Sequence, residues 1–147
     1  MIFPEQLYRL LASDEQVRWL DPFMEAETLQ QAAVLITTPQ IVVPARRALI
    51  IYSVEGRADP DPVAIANFVQ VDIFTASGGA SHPLLSNAIP EAVAGRDKHL
   101  EFHGGPLVLS AGMRIQTQAV FSAAAAANRA LVRVYGLLIP LGNVERL

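Results

Sequence analysis

The stretch Ala48-Leu49-Ile50-Ile51-Tyr52-Ser53-Val54, introduced by the turn sequence Pro44-Ala45-Arg46-Arg47, decides the class of fold. Its β-branched and aromatic side chains suit a pleated, packed surface, and the run has the length of a strand rather than of a helix. Toward the amino end, Ala33 to Thr37 and Ile41 to Val43 read as two further strands. Toward the carboxyl end, residues 66–74 alternate with period two and predict another. His99 to His103 and Leu107 to Leu109 read as short strands, and Met113 to Ser122 with Ala130 to Pro140 as a closing pair joined by the small-residue turn Ala123 to Arg129. Gly56 to Pro62, with Asp59-Pro60-Asp61-Pro62, is expected to be loop, because proline donates nothing to a ladder. Ala76 to Gly95, with Gly78-Gly79, Pro83 and Pro90, is expected to be a long surface excursion with one short turn of helix.

Many short strands separated by turn signals, without alternating helices, predict an all-β fold: an antiparallel, jelly-roll-like β-sandwich over residues 31–147. An internal echo supports it. Val43-Pro44-Ala45-Arg46-Arg47-Ala48-Leu49 and Leu109-Ser110-Ala111-Gly112-Met113-Arg114-Ile115 share the order apolar residue, turn pair, basic residue, apolar strand, as two corners of a sandwich would.

Residues 1–30 have a different texture and predict a short N-terminal helical arm. Pro4 suits a first helical position, and Phe3, Leu7, Leu10 and Leu11 form one apolar stripe. Ser13 with Gln16 gives a capping signal for a second turn, which Val17, Trp19 and Leu20 would anchor before Asp21-Pro22 ends it. Phe3, Leu7, Leu10, Leu11 and Trp19 are therefore the candidate interface residues, packing on the chain's own domain or on a neighbour.

Composition narrows the functional classes. A chain of 147 residues has room for one domain with its own core. Without cysteine there is no disulfide framework and no thiol nucleophile. The net charge of −3 disfavours nucleic-acid binding, and no apolar stretch approaches the ~20 residues of a membrane helix. Charges at Glu5, Arg9, Asp14, Glu15 and Arg18 interrupt any secretory core in the first twenty residues. Only 17% of the residues are charged while 52% are hydrophobic. Either some apolar surface is covered by a partner, or neutral Ser, Thr, Gln and Asn clothe the domain.

Candidate chemistry is sparse. In Asp97-x-His99-x-Glu101-x-His103, residues two apart share one face of a strand, and two imidazoles with a carboxylate are a zinc or iron ligand set. His99, Glu101 and His103 are thus the metal candidates, for a cupin-like enzyme. A solvated strand face of charged pairs accounts for the same residues. No serine lies in a Gly-x-Ser-x-Gly turn, and Ser81-His82 is only an adjacency. Asp59, Asp61 and the 76–95 segment are the positions a carbohydrate-binding sandwich would use. No cofactor is expected.

The Val-Pro-Ala-x-x-x-Leu-Ile-Ile corner (Val43 to Ile51), the Pro-Leu-Val-Leu-Ser-Ala-Gly-Met-Arg-Ile corner (Pro106 to Ile115) and the terminal Val-x-Val-Tyr-Gly-Leu-Leu-Ile-Pro strand (Val132 to Pro140) resemble small β-sandwich proteins of tailed-bacteriophage virions. These are capsid decoration proteins and head-fibre or spike base modules. The resemblance implies a non-enzymatic structural protein, trimeric, seated on a capsid and assembled in the host cytoplasm. It implies that residues 1–30 reach a shell protein or another copy and that residues 76–95 face outward.

Overall fold

The computed structural model describes residues 18–19, 24–63, 68–90, 98–103 and 106–140. All regular structure among them is strand: β1 (Arg18–Trp19), β2 (Met24–Glu27), β3 (Ala33–Thr37), β4 (Ile41–Val42), β5 (Arg47–Asp59), β6 (Phe68–Ser77), β7 (Ala80–Pro90), β8 (Lys98–Phe102), β9 (Leu107–Ser110), β10 (Arg114–Ala125) and β11 (Arg129–Pro140). Two antiparallel sheets result. Sheet A runs β1-β11-β5-β8, with β2 also on β11 and β9 also on β5. Sheet B runs β3-β10-β6-β7, with β4 also on β10. The all-β sandwich expected from the strand pattern is the observed fold.

The sheets meet face to face. Ile41, Val43, Ile73 and Ile115 from the sheet B side pack with Leu49, Ile51, Val54, Val132 and Val134 of sheet A. A second cluster joins Ile36, Val71, Ala119 and Phe121 of sheet B to Ala58 and Ala130 of sheet A. The sheets approach closely at Gly56, where a Cβ would lie 2.7 Å from Ile73 Cγ1 and 2.9 Å from Thr117 Oγ1.

The two echoed corners are two of the places where the chain changes sheets, β4 to β5 and β9 to β10. Both are tight turns, closed by Arg47 N to Pro44 O (3.2 Å) and Met113 N to Ser110 O (3.1 Å). Each has a left-handed residue in third place, Arg46 at φ 59° and Gly112 at φ 82°. The corners also bond each other, Val43 N donating to Met113 O and Gly112 N to Val43 O, both at 2.9 Å.

Four expectations need correction. Gly56 to Asp59 is not loop but the end of β5, paired on both sides by Arg57↔Leu131 and Arg57↔His99, and the ladder stops only at Pro60. Residues 76–90 are not a long excursion: Gly78-Gly79 turns a hairpin whose second strand, β7, runs to Pro90, and residues 91–95 lie outside the described residues. Its prolines are tolerated because β7 is an edge strand and Pro83 follows a register shift. The closing strands β10 and β11 do not pair but lie in opposite sheets. In the range read as a helical arm, residues 1–17 and 20–23 lie outside the described residues, whereas Arg18–Trp19 and Met24–Glu27 are strands on β11. Met24-Glu25-Ala26-Glu27 alternates with period two, half-buried and exposed, which suits a sheet edge and not a helix.

The β5–β11 ladder is irregular at one point. Tyr135 pairs with Ser53 but Gly136 pairs with Ile51, so Tyr52 is an extra residue in β5. The bulge turns an otherwise unreadable apolar run into two faces: Leu49, Ile51 and Val54 point to the sandwich core, Ala48 and Ile50 to the other side of sheet A. Gly136 permits it, since a Cβ there would lie 2.0 Å from the Ile50 carbonyl oxygen. Gly136→Ala is expected to cost about 2–3 kcal/mol, measured by urea unfolding; an unchanged midpoint would show that the bulge does not depend on this glycine.

Candidate functional site

Two surfaces could carry function: the charged outer face of sheet A and the exposed edge of sheet B.

Beyond the bulge, β5 and β11 alternate core-facing apolar residues with outward polar ones. Register aligns the outward residues across the sheet in the row Glu25, Arg133, Glu55, Glu101. Glu55 is only 8% exposed and receives His99 Nδ1 at 3.1 Å, Tyr135 Oη at 3.4 Å and Arg133 Nη1 at 3.5 Å. Glu101, directly opposite Glu55, is matched separately by His103 Nε2 at 2.8 Å. Arg133 also donates to Glu25, and this hydrogen bond holds its pKa above the usual arginine value. Burial, reinforced by the Glu55 charge, raises the Tyr135 phenol above its ordinary value.

His99, Glu101 and His103 do share a face, as their spacing predicts, but they are distributed between two carboxylates. Among the described residues no group of three or more histidines and acids is arranged to hold a metal ion. Asp97 lies outside them. The arrangement gives each carboxylate of a like-charged cross-strand pair its own hydrogen-bond partners, in a place where two unpartnered carboxylates would weaken the β5–β8 ladder.

Asp59 and Asp61 are committed to structure. Asp59 accepts from Arg57 and from Arg129 Nε at 3.0 Å, and Arg129 Nη1 reaches Glu27 at 2.9 Å. Asp61 accepts from Val63 N at 2.9 Å and Ala127 N at 3.1 Å. Its own amide donates to Oδ1 of buried Asn128 at 2.9 Å, while Asn128 Nδ2 donates to Ala33 O and Ala123 O. This clamp fixes the arch that carries β10 of one sheet into β11 of the other. The sequence reading missed Asn128; its signal was an asparagine ending a run of small residues, where a side chain replaces absent backbone partners.

The sheet edges differ in how they are protected. The β7 edge carries Pro83, Pro90 and the exposed Ser81 and His82. The β8 edge presents His99 and Glu101, and the β2 edge Glu25 and Glu27. Charge and proline of this kind prevent edge-to-edge pairing. The edges formed by β3 with β4 and by β9 have neither within their strands, and of these only the β3–β4 edge exposes large apolar side chains: Val34 (45%), Leu35 (56%) and Val42 (47%). Among the described residues no strand pairs with its outer side. The adjoining outer face of sheet B is polar but mostly uncharged, with Thr37, Gln118, Asp72 and Ser86 in one row and Gln116 beside Phe74. Neutral side chains therefore supply part of the surface that the low charge content leaves open. Of the sequence-predicted interface residues, Phe3, Leu7, Leu10 and Leu11 lie outside the described residues, and Trp19 is placed in β1.

No known protein-family model matches the chain, and no curated protein is significantly similar to it. Solved structures show partial likeness. An α-amino acid ester hydrolase matches with a TM-score of 0.45 and 9% identity over 81% of this chain, which spans 32% of the hydrolase. The VP2 subviral particle protein of infectious bursal disease virus matches with a TM-score of 0.36 and 18% identity, over 89% of this chain and 34% of that one. A carbohydrate-binding module from a family 9 glycoside hydrolase of Ruminococcus flavefaciens matches with a TM-score of 0.36 and 11% identity, over 84% and 98%.

Replacing Asn128 with Ala removes the bond to Asp61 and both carbonyl contacts from a buried position; a loss of about 2–4 kcal/mol is expected in chemical denaturation. A loss below that of an exposed control substitution would remove the arch from the account.

Proposed function

We propose that this chain is a non-enzymatic structural module of a virion, a capsid decoration or head-fibre base protein that works through protein–protein contacts between copies and with a shell protein. One observation carries the reading: among the described strands, only those of the β3–β4 edge expose large apolar side chains. An edge of this kind is a template for pairing or packing against another chain, and a monomer would be selected to blunt it. The low charge content and the resemblance of the two corners and the last strand to tailed-phage virion sandwiches support the same reading. Cementing a shell requires buried area, at ~25 cal/mol per Å² of apolar surface, and no chemistry. The proposed assembly is a homotrimer, the closed symmetric form that such modules adopt.

Light scattering on the purified chain tests it. A stable oligomer is expected, and Leu35→Lys with Val42→Lys should convert it to monomer while leaving the circular dichroism spectrum unchanged. A wild-type chain that stays monomeric at high concentration, without binding capsid shells, would overturn the proposal.

A further inference from the structure

The two echoed corners share a backbone and differ in the residue that has to bear it. The third residue of each is left-handed: Gly112 at φ 82° in the second corner, Arg46 at φ 59° in the first. That place in a tight turn favours glycine, because a Cβ there crowds the neighbouring backbone. Among the described residues Arg46 is the one non-glycine residue with a positive φ. The chain accepts strain at Arg46 that its second corner avoids, and a side chain kept against a local preference has a use of its own.

That use is not in the described fold. Arg46 is exposed, and among the described residues no hydrogen bond or ion pair holds its guanidinium. Arg114 lies at the same end of the sandwich: it opens β10 and pairs with Val42 just before the first corner, and the two corners bond each other. Its guanidinium is held by neutral acceptors, Gln40 Oε1 at 3.1 Å and the Gly78 carbonyl in the β6–β7 turn. The segments that meet at this end, residues 38–47, 75–82 and 107–115, contain no aspartate or glutamate. Asp59 lies at the opposite end of β5, bound to Arg57 and Arg129. The sandwich is therefore polarised, with cations lacking carboxylates at one end.

Charge complementarity defines what this end fits. Guanidinium forks match carboxylates in geometry as well as in charge. Two of them neutralise too few phosphates to hold nucleic acid on a chain of net charge −3, but suffice for a short acidic segment. A second copy is a poor source of that segment, because the described carboxylates are already engaged in their own chain: Glu25 by Arg133, Glu27 by Arg129, Asp72 by Gln70 and Ser86. We propose that the corner end of the sandwich, centred on Arg46 and Arg114, is a docking surface for an acidic segment of a different protein. The inference does not rest on the virion reading, which turns on the apolar β3–β4 edge.

Hexaglutamate carrying a fluorescent label, titrated with the full chain at low salt, tests it by anisotropy, alongside urea unfolding of each variant. Arg46→Gly is expected to raise the unfolding midpoint, because glycine suits the turn, and yet to weaken binding about threefold. Arg114→Gln should weaken binding by a similar factor. Lys98→Gln, a cation near the opposite end beside Ala58, should leave it unchanged. Absence of binding by the wild-type chain, or an unchanged affinity in Arg46→Gly, would overturn the proposal. An equal loss in Lys98→Gln would also overturn it, as diffuse charge, and a lowered midpoint in Arg46→Gly would show that the arginine is kept for stability. Tighter binding of a duplex DNA probe, with the same dependence on Arg46 and Arg114, would assign the surface to nucleic acid and overturn the acidic protein.

Discussion

The ladder between β5 and β11 gives up one residue, Tyr52, where Gly136 lets the two backbones close together. That slip changes the phase of β5. On one side of it Val54, Gly56 and Ala58 face the sandwich while Glu55, Arg57 and Asp59 face outward; on the other, Leu49 and Ile51 take the core and Ile50 turns to the opposite face. Both strands are long, and β5 is paired by β8 and β9 while β11 is paired by β1 and β2. Every element of sheet A takes its register from this pair, so the bulge sets the character of the whole outer face.

The polar residues follow from that geometry. Glu55 sits in a row of outward side chains close to the bulge, buried by its neighbours, and is held by imidazole, phenol and guanidinium groups. Asp61 and Asn128 serve a different need: the arch between the sheets has few backbone partners, and two side chains supply them. Carboxylates committed to such bonds hold the scaffold in place. Surface open to a partner is found instead at the β3–β4 edge, where Val34, Leu35 and Val42 are exposed.

Much of the fold was legible in the sequence. The run Ala33 to Thr37 coincides with β3, and the two echoed segments are corners of the sandwich, as their shared pattern suggested. Proline and glycine misled the reading where their role depends on tertiary context. Asp59-Pro60 ends a central strand that continues through Gly56, and Pro83 lies in an edge strand whose free side needs no donor. Edge position cannot be seen locally either, since Ala33 to Thr37 reads the same at an edge as in the middle of a sheet. His99, Glu101 and His103 were correctly placed on one face, but their partner Glu55 was hidden because the alternation Val54-Glu55-Gly56-Arg57-Ala58-Asp59 was broken by the expected loop.

The central claim is the register slip at Tyr52, and cross-strand proton contacts in the nuclear magnetic resonance spectrum of the intact chain test it most directly. The account predicts contacts that join Ser53 to Tyr135 and Ile51 to Gly136, with Tyr52 facing no residue of β11. An unbroken register, with Tyr52 paired to Gly136 and Ile51 to Leu137, would contradict it.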